Sequence, residues 1–236
     1  MKIFITGISS GIGLGLAEYY LNEGNTVYGI SRSSSKALEQ HGNYNYLSVD
    51  LAKLDEIEGE IKPFLASTAN LDLVILNAGI LPQIADMRDT SLEEIKKVMD
   101  VNVWANKILL DTILQHAPPA QVVAISSGAA VSGARGWNAY SLSKAALNML
   151  VNLYAKEQEH THFIAMAPGI IDTNMQEYIS GLPDDVSYPV VEKLKKAKGT
   201  PQMPPAKDAA PLLVKAFERA RQEYPSGDFV DIRKMD

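Results

Sequence analysis

The sequence predicts an α/β protein built on a doubly wound parallel sheet of about seven strands, with helices covering both faces. Three observations lead to this prediction. Short apolar runs alternate with helical patterns along the whole chain of 236 residues. The runs are almost continuously apolar, as is typical of strands that are buried on both faces. No repeat or linker interrupts the alternation, so we expect residues 1–236 to form one domain.

The individual elements follow from local patterns. Strands are predicted where a short apolar run ends at a glycine or a polar residue, and helices where apolar residues recur every three or four positions. The predicted strands cover residues 2–6, 26–31, 44–49, 71–76, 121–126, 162–167 and 228–232. The predicted helices cover residues 11–22, 54–66, 91–115, 139–156 and 207–221. Ser91 and Glu94 match a capping box at the start of the longest helix.

One long region, residues 170–205, shows neither pattern and is rich in proline, glycine and lysine. A segment of this length without regular structure is uncommon inside a compact domain and is usually a functional cover or disordered. We therefore expect a substrate lid around residues 170–205.

Composition argues against several functional classes. The net charge is −6 with both signs interspersed, which argues against a nucleic-acid or anionic membrane surface as partner. No apolar run approaches the roughly 18 residues that a membrane span needs, and we expect no signal peptide ahead of the first strand. The absence of cysteine rules out disulfides and thiolate metal sites and fits a reducing, cytoplasmic location. The four histidines are scattered, so we expect no metal.

A glycine-rich turn joins the first predicted strand to the first helix. Its glycines allow the backbone to turn tightly and to approach a pyrophosphate, which the free N–H groups and dipole of the helix favour. Such a turn is often only structural, but its position between strand and helix favours a nucleotide site. The residues predicted to bind this part of the cofactor are Gly7, Ser9, Ser10, Gly11, Ile12 and Gly13.

The end of the second strand indicates which nucleotide binds. An NAD site needs an acid there to hold the ribose 2′-hydroxyl, but this chain has Ser31, followed by Arg32 and Ser33. A guanidinium and hydroxyl groups can bind a 2′-phosphate, so we predict NADP(H) as cofactor, with a solvated surface arginine as the alternative. Asp50 and Leu51 follow the third strand, where adenine would lie. Asp50 could equally cap its own turn.

A pair of side chains later in the chain suggests proton transfer. Tyr140 and Lys144 are four residues apart, which places them on one face of a helix. An ammonium beside a phenol lowers the phenol's pKa, so that Tyr140 could exchange a proton near neutral pH. Ser127 ends the fifth strand and could hydrogen-bond the oxygen that Tyr140 protonates. Alone, this spacing is weak, and an ordinary solvated helix face is the alternative.

Taken together, the motifs resemble those of short-chain dehydrogenases/reductases, a family with a Rossmann-type fold. The ordered set is Thr6-Gly7-x-x-x-Gly11-x-Gly13, Asn77-Ala78-Gly79, Asn102, Ser127, Tyr140-x-x-x-Lys144 and Pro168-Gly169. The resemblance implies that Tyr140 is the general acid–base and that Ser127 orients the carbonyl oxygen. It also implies that Lys144 holds the nicotinamide ribose. Asn102 resembles the asparagine that anchors a water in the proton relay, although an ordinary helix-interior asparagine is the alternative.

The resemblance also assigns two further cofactor contacts. Asn77, Ala78 and Gly79 resemble the segment beside the adenine ribose. The loop expected to contact the nicotinamide contains Pro168, Gly169, Ile171 and Thr173.

A closer resemblance is to the sepiapterin reductase and benzil reductase branch, carried by residues 126–130 with Gly136-Trp137, 168–176, 194–199 and 226–231. It implies that Asp231 anchors the amino-pyrimidine ring of a pterin, although a simple strand-end residue is equally favoured. Trp137 and Met175 would wall the substrate pocket or only pack. The segment after Ile80 is short, and residues 178–205 match nothing assigned, so the substrate stays open.

The expected activity is reversible, NADPH-dependent reduction of a small-molecule carbonyl (a ketone, a diketone or a pterin side-chain carbonyl) by hydride transfer. Reductases of acyl thioesters, steroids or sugars, and a non-catalytic NADP(H) sensor, are the alternatives. The helix at 139–156 is apolar around more than half its circumference. This favours a homodimer or homotetramer over burial within one chain.

Overall fold

Seven parallel strands form a single twisted sheet, as the sequence predicts. The computed structural model describes residues 1–66, 68–183 and 188–235. The strands lie in the order β3-β2-β1-β4-β5-β6-β7, and every neighbouring pair is parallel. They span Lys2–Thr6 (β1), Thr26–Ser31 (β2), Tyr44–Ser48 (β3), Leu71–Leu76 (β4), Pro119–Ile125 (β5), His162–Ala167 (β6) and Phe229–Asp231 (β7). The predicted fold class is confirmed.

Helices cover both faces of this sheet. They span Gly11–Asn22 (α1), Leu54–Leu65 (α2), Leu92–Met99 (α3), Ala105–His116 (α4), Ala129–Ser132 (α5), Asn138–Glu157 (α6), Asn174–Ser180 (α7), Pro189–Ala197 (α8) and Ala206–Glu223 (α9). On one face, Leu16 of α1 and Phe217 of α9 belong to one buried cluster with strand residues. On the other, Ile57, Leu109 and Leu147 of α2, α4 and α6 belong to a second cluster. Burial on both faces explains why the strands are so uniformly apolar.

The predicted continuous helix at 91–115 is wrong in one respect. It consists of α3 and α4 joined by five residues of π-helix, Asp100–Trp104. The reason is the buried side chain of Asn102, which hydrogen-bonds the backbone of Ile80 in both directions. The capping box is also only half formed. Ser91 accepts a hydrogen bond from the N–H of Glu94, but the Glu94 carboxylate accepts from the N–H of Gln83 instead.

Three strands differ by one or two residues from the prediction. β3 ends at Ser48 rather than at residue 49. β5 begins at Pro119 rather than at residue 121, and it ends at Ile125. β7 is shorter than predicted because Ile232–Lys234 forms a 3₁₀ turn, in which Asp231 accepts a hydrogen bond from the N–H of Arg233. Local side-chain-to-backbone bonds of this kind commonly end a strand.

The expectation that residues 170–205 lack regular structure is wrong for two stretches of this region. It contains α7 and α8, and residues 184–187 between them lie outside the described part of the chain. α8 starts with Pro189, a residue favoured in the first helical turn, and buries Val191, Leu194 and Ala197. These side chains pack with Trp137 in a third, separate cluster. The helical pattern of α8 covers only nine residues, and the lysines between its apolar positions make it hard to recognise in the sequence.

One face of α6 stays uncovered. Leu142, Met149 and Leu153 are 48%, 58% and 52% exposed, whereas Leu147 and Val151 of the same helix are buried. The sheet therefore covers only part of the apolar stripe, as the width of the stripe predicts. No helix within the described ranges is both long enough and apolar enough to span a membrane.

Candidate active site

A cavity of about 790 Å³ opens at the carboxyl ends of the strands. It lies beside the point where the strand order reverses, between β1 and β4, which is where open parallel sheets bind ligands. Its walls come from the turns after the strands and from residues near 170 and 190, at α7 and α8. This position gives the cavity access to the amino terminus of α1.

Most of the residues predicted as site residues line this single cavity. They are Gly7, Ser9, Ser10, Gly11, Ile12, Ser31, Arg32, Asp50, Leu51, Asn77, Ala78, Gly79, Ser127, Trp137, Tyr140, Lys144, Pro168, Gly169, Ile171, Thr173 and Met175. The cavity lining does not include Gly13, Ser33, Asn102 or Asp231. Segments that are more than 160 residues apart in sequence thus meet around a single space.

The glycine turn is shaped by close backbone approach. Gly7 and Gly11 have φ angles of +74° and +58°, a left-handed conformation that glycine adopts without strain. A Cβ atom on Gly13 would overlap the carbonyl oxygen of Gly7 and lie 2.5 Å from Nδ2 of Asn77. Gly13 therefore forms the turn without reaching the cavity. The first turn of α1 contains no acidic residue, so its free N–H groups suit an anion such as a pyrophosphate.

The loop after β4 is tied to this turn through Thr6. Its hydroxyl accepts hydrogen bonds from the backbone N–H groups of Asn77 and Ala78, at 2.9 and 2.8 Å. Nδ2 of Asn77 donates in return to the carbonyl oxygens of Thr6 and Gly7, at 2.9 and 3.2 Å. Asn77 thereby holds the loop after β4 against the turn after β1.

The region predicted to select the cofactor carries one exposed cation. The guanidinium of Arg32 makes no hydrogen bond to the residues that the structure describes, and Arg32 lies on the cavity wall. Ser31 donates to the carbonyl oxygen of Ser33 at 2.7 Å, which shapes the turn. The carboxylate of Asp50 accepts from the N–H of Ala52 at 3.1 Å, so it caps its own turn while it lines the cavity.

Tyr140 and Lys144 lie together on α6, and both are buried. The Ser127 hydroxyl accepts from the N–H of Ala129 at 3.1 Å and lies beside the Tyr140 phenol on the cavity lining. Nζ of Lys144 donates to the carbonyl oxygen of Ile125 at 2.7 Å and lies 5.8 Å from the centre of the Tyr140 ring. The three side chains thus form a cluster at the end of β5.

The prediction that Lys144 lowers the pKa of Tyr140 is wrong in direction. Burial raises the pKa of the Tyr140 phenol, and the neighbouring Ser127 hydroxyl opposes this only in part. Burial also lowers the pKa of Lys144 to about 8. Desolvation dominates both shifts because both side chains are removed from water.

Asn102 organises the wall behind these groups. Its Oδ1 accepts from the N–H of Ile80 at 2.8 Å, and its Nδ2 donates to the carbonyl oxygen of Ile80 at 3.0 Å. Nδ2 also donates to Ser143 at 2.9 Å, and the Ser143 hydroxyl donates to the carbonyl oxygen of Tyr140 at 2.8 Å. Sequence reasoning missed Ser143. Its position three residues after Tyr140 on the same helix face was the available signal.

Trp137 also lines the cavity, and its ring centre lies 5.5 Å from that of Tyr140. Asp231 does not line the cavity, and its carboxylate is paired with a neighbouring residue. Its carboxylate accepts two hydrogen bonds from the guanidinium of Arg233, at 2.9 and 2.6 Å. Arg233 itself reaches the cavity lining. Sequence reasoning missed Arg233, and only its spacing of two from Asp231 could have indicated it.

The model of the short chain dehydrogenase family matches residues 1–181 of the chain. This match agrees with the arrangement of the site. The protein therefore belongs to the short-chain dehydrogenase/reductase family. The predicted resemblance is confirmed.

Relatives within the family include reductases of the predicted branch. The chain is 29% identical to a benzil reductase ((S)-benzoin forming) of Bacillus subtilis, over all of both chains. It is also 29% identical to an NADPH-dependent pterin aldehyde reductase of Arabidopsis thaliana, over 73% of this chain and 76% of the other. A short-chain dehydrogenase/reductase from Saccharomyces cerevisiae shares the fold. Its TM-score is 0.84 at 24% identity, and the match covers 99% of this chain and 96% of that one.

Proposed function

We propose that this protein is an NADPH-dependent reductase that converts the carbonyl of a small ketone, diketone or pterin side chain into an alcohol. The observation that carries the proposal is that the hydroxyls of Ser127 and Tyr140 line the same cavity, with Lys144 buried beside Tyr140. Two converging donors can hold a carbonyl oxygen and stabilise the negative charge that develops on it. The activities named for the benzil and pterin aldehyde reductases support the same reaction class.

The proposed cofactor is NADP(H), and the cavity has groups suited to each part of it. Residues 7–13 would hold the pyrophosphate at the amino terminus of α1, and residues 77–79 would lie beside the adenine ribose. Arg32 would bind the 2′-phosphate, and Lys144 the nicotinamide ribose. The loop at 168–173 would contact the nicotinamide. When bound, the reduced nicotinamide supplies a hydride to the carbonyl carbon of the substrate.

The proton would come from Tyr140. Because burial raises the pKa of this phenol, the hydroxyl is protonated at neutral pH and can donate to the developing alkoxide. Ser127 would hold the same oxygen. Burial lowers the pKa of Lys144 to about 8, so its charged form still predominates at pH 7 and would favour proton release from the phenol. Asn102 would anchor a water that returns the proton to Tyr140.

The proposal is tested by Tyr140→Phe, which removes the donor hydroxyl and little else. NADPH consumption with benzil as substrate should fall by about 10²-fold or more, while NADPH binding, followed by its fluorescence, stays close to that of the parent. Tyr154→Phe on the same helix is the matched control, since Tyr154 lies outside the cavity lining. Retained turnover in Tyr140→Phe would overturn the assignment. A parent that binds NADPH but reduces no ketone would favour the sensor alternative.

We also propose how the chain is organised around this activity. Residues 1–236 would form one domain, with the segment at 170–205 closing over the substrate. Its α7 and α8 residues on the cavity wall support this. The exposed Leu142, Met149 and Leu153 of α6 would form the contact of a homodimer or homotetramer. The lack of cysteine supports a cytoplasmic location.

A further inference from the structure

Arg233 brings a positive charge to the cavity that the proposed reaction does not use. It lies in the 3₁₀ turn directly after β7, so the sheet places it at the same edge as the reacting groups. Its side chain lines the cavity and is 51% exposed. A cation at this position must either remain in water or meet an acceptor on a bound molecule.

Asp231 holds this guanidinium in one orientation. Nε and Nη2 of Arg233 donate to the two oxygens of the Asp231 carboxylate, whose side chain is only 8% exposed. A guanidinium has five N–H donors, and these two bonds use two of them. No other acceptor for Arg233 occurs in the part of the chain that the structure describes. Three N–H groups are therefore free, on a fork that is already fixed in place.

The Arg233 guanidinium lies close to the residues proposed to hold the substrate carbonyl and the nicotinamide. Nη2 lies 3.1 Å from the point that a Cβ atom on Gly128 would occupy, and Gly128 directly follows Ser127. Cγ of Arg233 lies 3.7 Å from the corresponding point at Gly169, in the loop proposed to contact the nicotinamide. A side chain at residue 128 would fill this space. The guanidinium thus lies beside the backbone of Gly128, the residue that follows Ser127.

The charge of the cavity wall supports an oxygen-rich ligand. Its lining includes five cationic residues and, among the described residues, a single carboxylate, Asp50. This contrasts with the net charge of −6 for the whole chain. Arg32 and Lys144 are assigned to the cofactor above, and Asp50 lies at the other end, after β3. Lys97, Lys193 and Arg233 remain, and of these Arg233 lies beside Gly128 and Gly169, next to the reacting groups.

We propose that Arg233 is a specificity-determining residue that donates hydrogen bonds to a second oxygen acceptor, adjacent to the carbonyl that is reduced. The favoured substrates are then vicinal dicarbonyl compounds, in which the second acceptor is a ketone or a carboxylate oxygen. This inference rests on the proposed reductase function and names its substrate class. A simple ketone would cover the guanidinium without offering an acceptor, so the N–H groups would lose water and gain no hydrogen bond in exchange.

The test uses two substrates that differ by one oxygen, benzil and benzyl phenyl ketone. Comparing Arg233→Met with the parent on both substrates cancels their different intrinsic reactivity. We expect the ratio of kcat/KM for benzil over benzyl phenyl ketone to fall by about tenfold or more in Arg233→Met. Arg219→Met is the matched control, because Arg219 makes a similar bidentate pair with Glu223 but does not line the cavity. Its ratio should equal that of the parent.

Two further variants keep the result interpretable if Arg233→Met folds poorly. Arg233→Lys keeps the charge but loses the fork, and it should show an intermediate ratio. Asp231→Asn weakens the brace and should lower the same ratio by a smaller factor. Phenylglyoxylate is the third substrate, in which the second acceptor is a carboxylate oxygen. A larger loss for phenylglyoxylate than for benzil in Arg233→Met identifies a carboxylate as the preferred acceptor, and the reverse order identifies a neutral ketone oxygen.

Two results would overturn the inference while leaving the reductase function intact. One is an equal loss on benzil and on benzyl phenyl ketone in Arg233→Met. The other is an unchanged ratio together with weaker NADPH binding, which would make Arg233 a cofactor ligand. A parent enzyme that consumes NADPH with none of the three substrates would instead count against the proposed function itself.

Discussion

Nζ of Lys144 donates a hydrogen bond to the carbonyl oxygen of Ile125 at 2.7 Å, in a position where the lysine is only 4% exposed. The end of β5 therefore holds the ammonium, and the phenol of Tyr140 lies to its side. Burial of a charged lysine destabilises the folded chain, which is a cost commonly found at functional sites. The free-energy cost of burying the charged Lys144 depends on pH and can therefore be measured.

Lys144→Met should change how stability depends on pH. Burial lowers the pKa of Lys144 from 10.5 to about 8, so between these pH values the unfolded chain holds one more proton than the folded one. The parent's free energy of unfolding therefore gains from rising pH in this window. The stability of Lys144→Met relative to the parent should fall by about 2–3 kcal/mol between pH 7 and pH 10.

Urea denaturation at both pH values measures this difference. Lys156→Met, which replaces an exposed lysine of the same helix, is the control and should show no comparable change. A Lys144→Met difference that is independent of pH would mean that the buried lysine carries no such cost.

Arg32→Ala should separate the two nicotinamide cofactors. If the guanidinium binds the 2′-phosphate, its loss should raise the Kd for NADPH by about 10- to 100-fold and leave that for NADH nearly unchanged. Fluorescence titration of both cofactors measures the two affinities. Lys97→Ala, at another cation of the cavity lining, controls for a general loss of positive charge. Equal losses for NADPH and NADH would remove Arg32 from 2′-phosphate binding.

Asn102→Leu should destabilise the protein by about 3 kcal/mol, because it leaves the partly buried N–H and C=O of Ile80 without their partner. Urea denaturation measures the loss, and NADPH consumption should fall as well because the loop at 77–80 is no longer fixed. Asn106→Leu is the matched control in α4. Asn106 donates one hydrogen bond, to the carbonyl oxygen of Asn102, so its loss should cost about 1 kcal/mol. Equal costs for both variants would contradict this role of Asn102.

Gly13→Ala should disrupt the turn that precedes α1. The added methyl would overlap the carbonyl oxygen of Gly7, so backbone must move, at a cost of about 3 kcal/mol. Gly59→Ala in α2 meets nothing within 4 Å and should stabilise the protein by about 1 kcal/mol through helix propensity. Thermal melting of the two variants gives shifts of opposite sign. A Gly13→Ala protein that melts at the parental temperature would show that the turn tolerates a side chain.

The fold was predictable because its signals are local. Strands buried on both faces produce continuous apolar runs, and the glycine turn after β1 needs residues that permit close backbone approach. The spacing of Tyr140 and Lys144 similarly indicated that they share a helix face. Each of these features is visible within about a dozen residues of sequence.

Other features depend on contacts between distant parts of the chain. The π-helical segment exists because Asn102 bonds to Ile80, and a five-residue turn leaves no clear periodicity. The direction of the Tyr140 pKa depends on burial, which the spacing of two residues does not reveal. Arg233 has a place in the cavity only because β7 ends beside Gly128 and Gly169.

The π turn between α3 and α4 also bears on how such a chain could change over time. A π turn accommodates one residue more than an α-helical turn of the same length, so it behaves as a tolerated insertion. Deleting one residue within Asp100–Trp104 would allow an unbroken α-helix while α4 kept its packing on the sheet. The cavity would then lose the support that Asn102 gives it. A descendant that bound the dinucleotide without turning over substrate could arise by one deletion, with every reacting side chain still present.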